Sequence, residues 1–110
     1  MTDKRIVLST AASEEEARKI GRYLVERQFA ACVNIIPRMD SIYRWQGKIE
    51  SSQEWLLLIK TSADQLSAVY DAIRDLHSYE LPECIALSIE DGSSEYLEWL
   101  GESLGGDMAS

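Results

Sequence analysis

The sequence predicts an α+β fold in the order βαββαβ, followed by one further helix. Three observations carry that prediction. Short apolar runs alternate with two segments that have helical periodicity and start signals. The two middle runs, on either side of Gln46-Gly47, are far longer than the first and last. The chain has 110 residues and is 45% apolar, which suits one domain with one packed core.

Arg5 to Thr10 reads as a short buried strand. Ser13-Glu14-Glu15-Glu16 forms a capping box, in which the Ser13 hydroxyl accepts from the Glu16 amide and Glu16 reaches back. The three glutamates also suit the positive end of a helix dipole. Ala17, Ile20, Leu24 and Val25 recur at helical spacing, so the first helix is expected from about Glu14 to Arg27.

Ala30 to Ile36 is the second strand, with Ala31, Val33 and Ile35 on one face. Pro37 has no amide proton for a ladder and marks a bulge or an edge. The strand resumes as Ser41-Ile42-Tyr43-Arg44-Trp45, turns at Gln46-Gly47 and returns from Lys48-Ile49-Glu50 through Glu54 to Lys60. Two strands this long should project beyond the body of so small a domain. Ser62 and Gln65 predict a second capping box, before an apolar stripe of Leu66, Val69, Tyr70, Ile73 and Leu76. Cys84 to Ile89 is the last strand. Asp91-Gly92-Ser93-Ser94 is a turn and cap for a third helix over Glu95 to Leu104. Residues 1–104 are expected to form one domain and residues 105–110 a frayed tail. The order is that of the split βαβ, or ferredoxin-like, fold, with two helices on one face of an antiparallel sheet.

That fold serves enzymes, sensors, RNA binders and metal carriers, so function must come from particular residues. Nineteen acids against eleven bases give a net charge of −8, which argues against nucleic acid and anionic membrane surfaces as partners. No apolar run approaches the roughly 18 residues of a membrane helix. The N-terminus shows no secretory apolar segment. Cys32 and Cys84 lie in apolar runs and read as buried free thiols, and the expected location is the cytoplasm. There is no C-x-x-C, phosphate-binding glycine loop or G-x-S-x-G elbow. A non-enzymatic protein is expected.

The chemistry-bearing stretch is Leu76 to Glu83, with the only histidine, His77, beside Tyr79, Glu80 and Glu83. At the end of the second helix His77 either complements the dipole or ligates a metal. Imidazole with carboxylate oxygens suits Cu2+ or another divalent cation, with no cofactor obligatory. One histidine makes a weak chelate, so tight binding needs groups from elsewhere, another subunit included. Tyr43, Trp45 and Trp55 read as interface aromatics, and Cys32 as a packed thiol. Lys60 is either an end charge or an anion-binding group in a cleft.

Ala30 to Pro37, Ser41 to Ile49, Ile59-Lys60-Thr61, Leu76 to Glu83 and Tyr96-Leu97-x-Trp99 occur in the order and spacing of a known family. The chain resembles the CutA family of divalent-cation tolerance proteins over residues 5–100. The resemblance implies a ferredoxin-like subunit in a homotrimer related in architecture to PII signalling proteins, with hairpin strands pairing across subunits. It implies a link to copper and other divalent metals and no established reaction. Copper-binding members present a cysteine and paired histidines where this chain has Ser9, Leu76 and His77. The functional expectation is a homotrimer that binds divalent metal weakly near an inter-subunit cleft through His77, Glu80 and Glu83. The alternatives are a PII-like sensor of a small anionic metabolite, held by Lys60, Arg44 or Lys48, and a structural trimer that presents a protein-binding surface.

Overall fold

A computed structural model describes residues 2–105. The elements are β1 (Lys4–Ala11), α1 (Glu14–Glu26), β2 (Cys32–Trp45), β3 (Lys48–Ser62), a 3-10 turn (Ala63–Gln65), α2 (Leu66–Leu76), β4 (Ile85–Ser88) and α3 (Ser94–Glu102). The sheet order is β2-β3-β1-β4, with every pair antiparallel. This is the ferredoxin-like α+β arrangement that the element order predicts. The tail residues 106–110 lie outside the described residues, while the Gly105 amide donates to the Gln28 carbonyl at 2.9 Å.

Alternation along the strands sorts the sheet into two unlike faces. Val7 and Ala11 of β1 and Leu57 and Ile59 of β3 lie on the helical face and are fully buried. Against them pack Ala17, Ile20 and Leu24 of α1 and Val69 and Ile73 of α2. Both helices therefore bury the stripes read from their periodicity. On β4 the small residue Ala86 packs inward, and the larger Ile85 and Leu87 stay about half exposed on the other face.

The hairpin of β2 and β3 continues past the body of the sheet. Fifteen residues in β3, against eight in β1, leave an arm that only its own partner strand covers. Its tip is a two-residue turn with Gln46 at φ 53° and Gly47 at φ 81°, the left-handed pair that suits the strand twist. The predicted irregularity at Pro37 is a bulge: pairing breaks between Ile36 and Met39, and Arg38 takes φ 56°.

The two start signals behave differently. Ser13 caps α1 by accepting from the Glu16 amide at 3.1 Å. Ser62 makes no such bond; its hydroxyl donates instead to the Asp64 carboxylate, and the 3-10 turn opens α2.

Candidate functional site

The Leu76–Glu83 stretch is the corner that leads from α2 to β4. His77 is the C-cap of α2, and its amide donates to Ile73. Its side chain turns inward and is fully buried. Nε2 sits 2.6 Å from the Thr10 carbonyl oxygen, and Nδ1 accepts from the Tyr79 amide at 3.0 Å. Nδ1 as acceptor puts the ring proton on Nε2, which donates to Thr10. Both nitrogens are thus used in tying the end of β1 to the corner.

Glu16 completes that tie. One carboxylate oxygen accepts from the Ala12 amide at 3.0 Å and the other from the Ser78 amide at 2.7 Å. The second oxygen also lies 3.8 Å from His77 Nδ1. Burial pushes the Glu16 carboxyl up, but the Ala12 and Ser78 bonds outweigh it and hold the group below its usual range. The reach-back of the predicted capping box therefore goes to Ala12 and to a residue 62 positions away, not to Ser13.

Beyond the imidazole the corner faces the root of the arm. The Tyr79 hydroxyl donates to Glu54 Oε2 at 2.8 Å, and the Tyr79 ring lies tilted against His77 with centroids 4.6 Å apart. Glu54, only 8% exposed, belongs to the face of β3 opposite the helices. Burial and the Glu54 charge raise the Tyr79 phenol well above its ordinary value, so it stays a donor. Burial, then the charge of Glu54, likewise raises the Glu83 carboxyl.

Between corner and arm lies a cleft of about 570 Å³. Tyr43 and Trp45 come from the arm, Glu54 and Thr10 from the sheet, and Tyr79, Glu80 and Glu83 from the corner. The structure therefore brings Tyr43, Trp45, Tyr79, Glu80 and Glu83 to one cavity. It does not bring His77, Lys60 or Cys32 there. Cys32 pairs with Lys60 in the β2–β3 ladder, and Lys60 Nζ donates to Asn34. Trp55 is partly buried and packs against the core cluster. Arg44 and Lys48 sit exposed near the arm's tip and do not line the cleft.

Among the described residues, no three His, Cys, Asp or Glu side chains converge as a metal ligand set. Glu80 and Glu83 offer oxygens that suit a hard or borderline divalent ion, whereas His77 offers no free nitrogen. Within one chain, a metal at the cleft would complete its coordination with water. Glu54 and Glu16 escaped the reading of the sequence. A carboxylate at the start of the strongest apolar strand was a signal for Glu54, but its partner Tyr79 depends on tertiary register. Glu16 was visible only as a cap.

The fold and this cleft define a ferredoxin-like domain with a long hairpin arm and an acidic, aromatic corner. A model of the CutA1 divalent ion tolerance protein family matches residues 5–103. The divalent-cation tolerance protein CutA of Thermus thermophilus is 48% identical over 102 residues, covering 93% of this chain and 99% of that protein. Human CutA is 46% identical over 91 residues, which is 83% of this chain and 51% of the human protein. The crystal structure of CutA from Xylella fastidiosa superposes with a TM-score of 0.92 at 42% identity, covering 94% of this chain and 100% of that one. The chain belongs to the CutA1 divalent ion tolerance family. It spans nearly all of the Thermus relative and about half of the human one.

Among the described residues no helix is long and apolar enough to cross a membrane. The compartment differs among relatives: the Arabidopsis thaliana protein is named chloroplastic, and an Archaeoglobus fulgidus structure is titled periplasmic.

Proposed function

We propose that this chain works as a homotrimeric, non-enzymatic protein that holds divalent metal weakly at the corner cleft. The carrying observation is the cleft's charge. Glu54, Glu80 and Glu83 line it with no lysine or arginine among the lining residues, and burial, then the Glu54 charge, raises the Glu83 carboxyl, so a cation would favour its ionised form. Glu80 and Glu83 are the proposed ligands, and His77 braces the wall through Thr10 and Tyr79. The bare carboxylates and the family's ion-tolerance character favour metal over the anionic-metabolite alternative. Cu2+ and Mn2+ are the ions to compare, since they separate borderline from hard preference.

The trimer is supported by the face that the helices leave open. Ile36, Ile85 and Leu87 are 44%, 50% and 46% exposed there, and the outer edge of the fourteen-residue β2 strand has no neighbouring strand among the described residues. A long apolar edge of this kind invites pairing with another chain. Two free cysteines fit the reducing cytoplasm as the proposed location.

Sedimentation equilibrium tests the assembly: the expected mass is three chains, and a monomer at micromolar concentration overturns it. Calorimetric titration tests the site. Glu83→Gln should weaken Cu2+ and Mn2+ binding. No heat with either ion at millimolar concentration, or identical isotherms for wild type and Glu83→Gln, overturns the metal reading.

A further inference from the structure

Between β4 and α3 a short link, Glu90-Asp91-Gly92, joins two anchored points. Upstream, the Ile89 carbonyl accepts from the Thr2 hydroxyl at 2.7 Å, and the Ile89 amide donates to the Lys4 carbonyl at 3.2 Å. Downstream, Ser93 caps α3: its hydroxyl accepts from the Tyr96 amide at 3.2 Å and its carbonyl from the Leu97 amide at 3.0 Å. On β1, Ser88 lies opposite Arg5, whereas the arm leaves beyond Ala11, opposite Trp55. The link therefore lies beyond the end of the sheet that is away from the arm and the cleft.

Asp91 is the only aspartate of the chain followed by glycine. Its Oδ1 accepts from the Gly92 amide at 2.8 Å, so the side chain is folded back over the next peptide bond. That contact closes a ring through Oδ1. A bond from the nitrogen to Cγ would close a ring one atom smaller. Among the described residues the Gly92 amide makes no backbone hydrogen bond that would hold it away from the carboxyl. Gly92 has no Cβ to crowd the approach. Other carboxylates are engaged elsewhere: Asp64 accepts from Ser62, and Asp71 from Arg74. Holding nucleophile and electrophile in contact removes much of the entropic part of a barrier.

We propose that Asp91-Gly92 is a self-modification site, at which the chain closes to a succinimide and reopens as a β-linked aspartyl bond. The Gly92 nitrogen attacks Cγ of the protonated carboxyl. The N–Cγ bond forms, the amide proton is lost, and the carboxyl hydroxyl leaves as water. Water then adds to the ring carbonyl that was the Asp91 main-chain carbonyl and breaks its bond to nitrogen. The main chain now runs through the side chain, one methylene longer, with a free α-carboxylate and no net change in mass. No oxidant, reductant or cofactor is consumed. In a link pinned at Ile89 and Ser93, the added methylene displaces Ser93 and loosens the α3 cap. The reaction draws only on this loop and water, so it is independent of the metal reading.

The test is prolonged incubation of the full chain, as it assembles in solution, in warm neutral buffer beside the same chain unfolded in urea. Peptide mapping with a protease that cuts before aspartate but not before its β-linked isomer reads the conversion. Conversion at Asp91 should be at least as fast in the folded protein as in urea, with none at Asp64 or Asp71 over the same period. Gly92→Ala should slow it about tenfold. The added methyl would meet Leu97 side-chain atoms at 3.4 Å, a van der Waals contact, so the fold is kept. Asp91→Glu, whose ring would be one atom larger, should show no conversion and serves in place of Gly92→Ala if that variant fails to fold. Slower conversion in the folded protein than in urea overturns the proposal, and so does conversion indifferent to the substitution. Amide exchange at Tyr96 and Leu97 should be faster in the purified isomer than in unconverted protein. Equal exchange overturns the effect assigned to the α3 cap.

Discussion

The two faces of the sheet are built to different degrees of completion. On the helical face, the side chains of Val7, Leu57 and Ile59 are closed over by α1 and α2 within the one chain. On the opposite face, β1 and β3 carry Leu8, Leu56 and Leu58 in half-buried positions, and β4 leaves Ile85 and Leu87 about half exposed. Apolar surface of this kind stabilises only when something excludes water from it. The chain therefore folds on one face and is equipped to associate on the other. The corner cleft belongs to the second face, because Thr10, Glu54 and Tyr43 share it by register.

The largest expected effect separates the faces directly. Leu57→Ala should cost about 2–5 kcal/mol, as cavities in closed cores do, and should be read from the urea midpoint. Leu87→Ala removes a similar side chain from the open face. It should leave the secondary structure intact and promote dissociation as the protein is diluted, which sedimentation would show. If Leu87→Ala instead unfolds the chain as severely as Leu57→Ala and leaves the mass unchanged, the contrast between the faces fails.

The second effect concerns the tie between the faces. Glu16 reaches from α1 to Ala12 and to Ser78, and so fixes the corner that walls the cleft. Its carboxyl is held below the usual range, so the charged form favours the folded state. That stabilisation is present above the unfolded value of 4.5 and is lost as pH falls through the lower folded value. Glu16→Gln should cost about 1–2 kcal/mol near neutral pH, because one amide oxygen cannot serve both backbone donors. Wild type and variant should converge in acid. A constant difference from neutral pH into acid would show that the carboxylate charge is irrelevant to the tie.

The sequence made the helical face legible because it obeys local rules. Periods of 3.6 and 2 marked α1, α2 and the strands, Pro37 marked the bulge and Gln46-Gly47 the arm's tip. Ser13 was legible as a cap; the same signal at Ser62 failed, since its hydroxyl donates to Asp64 and makes no capping bond. The cleft was half legible. Tyr79, Glu80 and Glu83 form one run in sequence, while Glu54 and Thr10 join them only through strand register. His77 stood out by being the only histidine, yet composition says nothing of where an imidazole points. Its two bonds, to Thr10 and to Tyr79, are tertiary facts.

The smallest effect lies at Ser9, where the comparison of faces can be turned on a single atom. Ser9 sits between Val7 and Ala11 on the helical side of β1 and is fully buried. Its hydroxyl is the one buried side-chain polar atom with no hydrogen-bond partner among the described residues. Leaving a hydroxyl unpaired in a core is unfavourable, and replacing it by a methyl hydrogen changes little volume. Ser9→Ala should therefore stabilise the chain by up to about 1 kcal/mol, measured by urea unfolding, and leave Mn2+ binding unchanged. The neighbouring residue, Thr10, points the other way and lines the cleft. A loss of ligand binding in Ser9→Ala would mean that the hydroxyl communicates through β1 to the open face, and that the two faces are less independent than their packing implies.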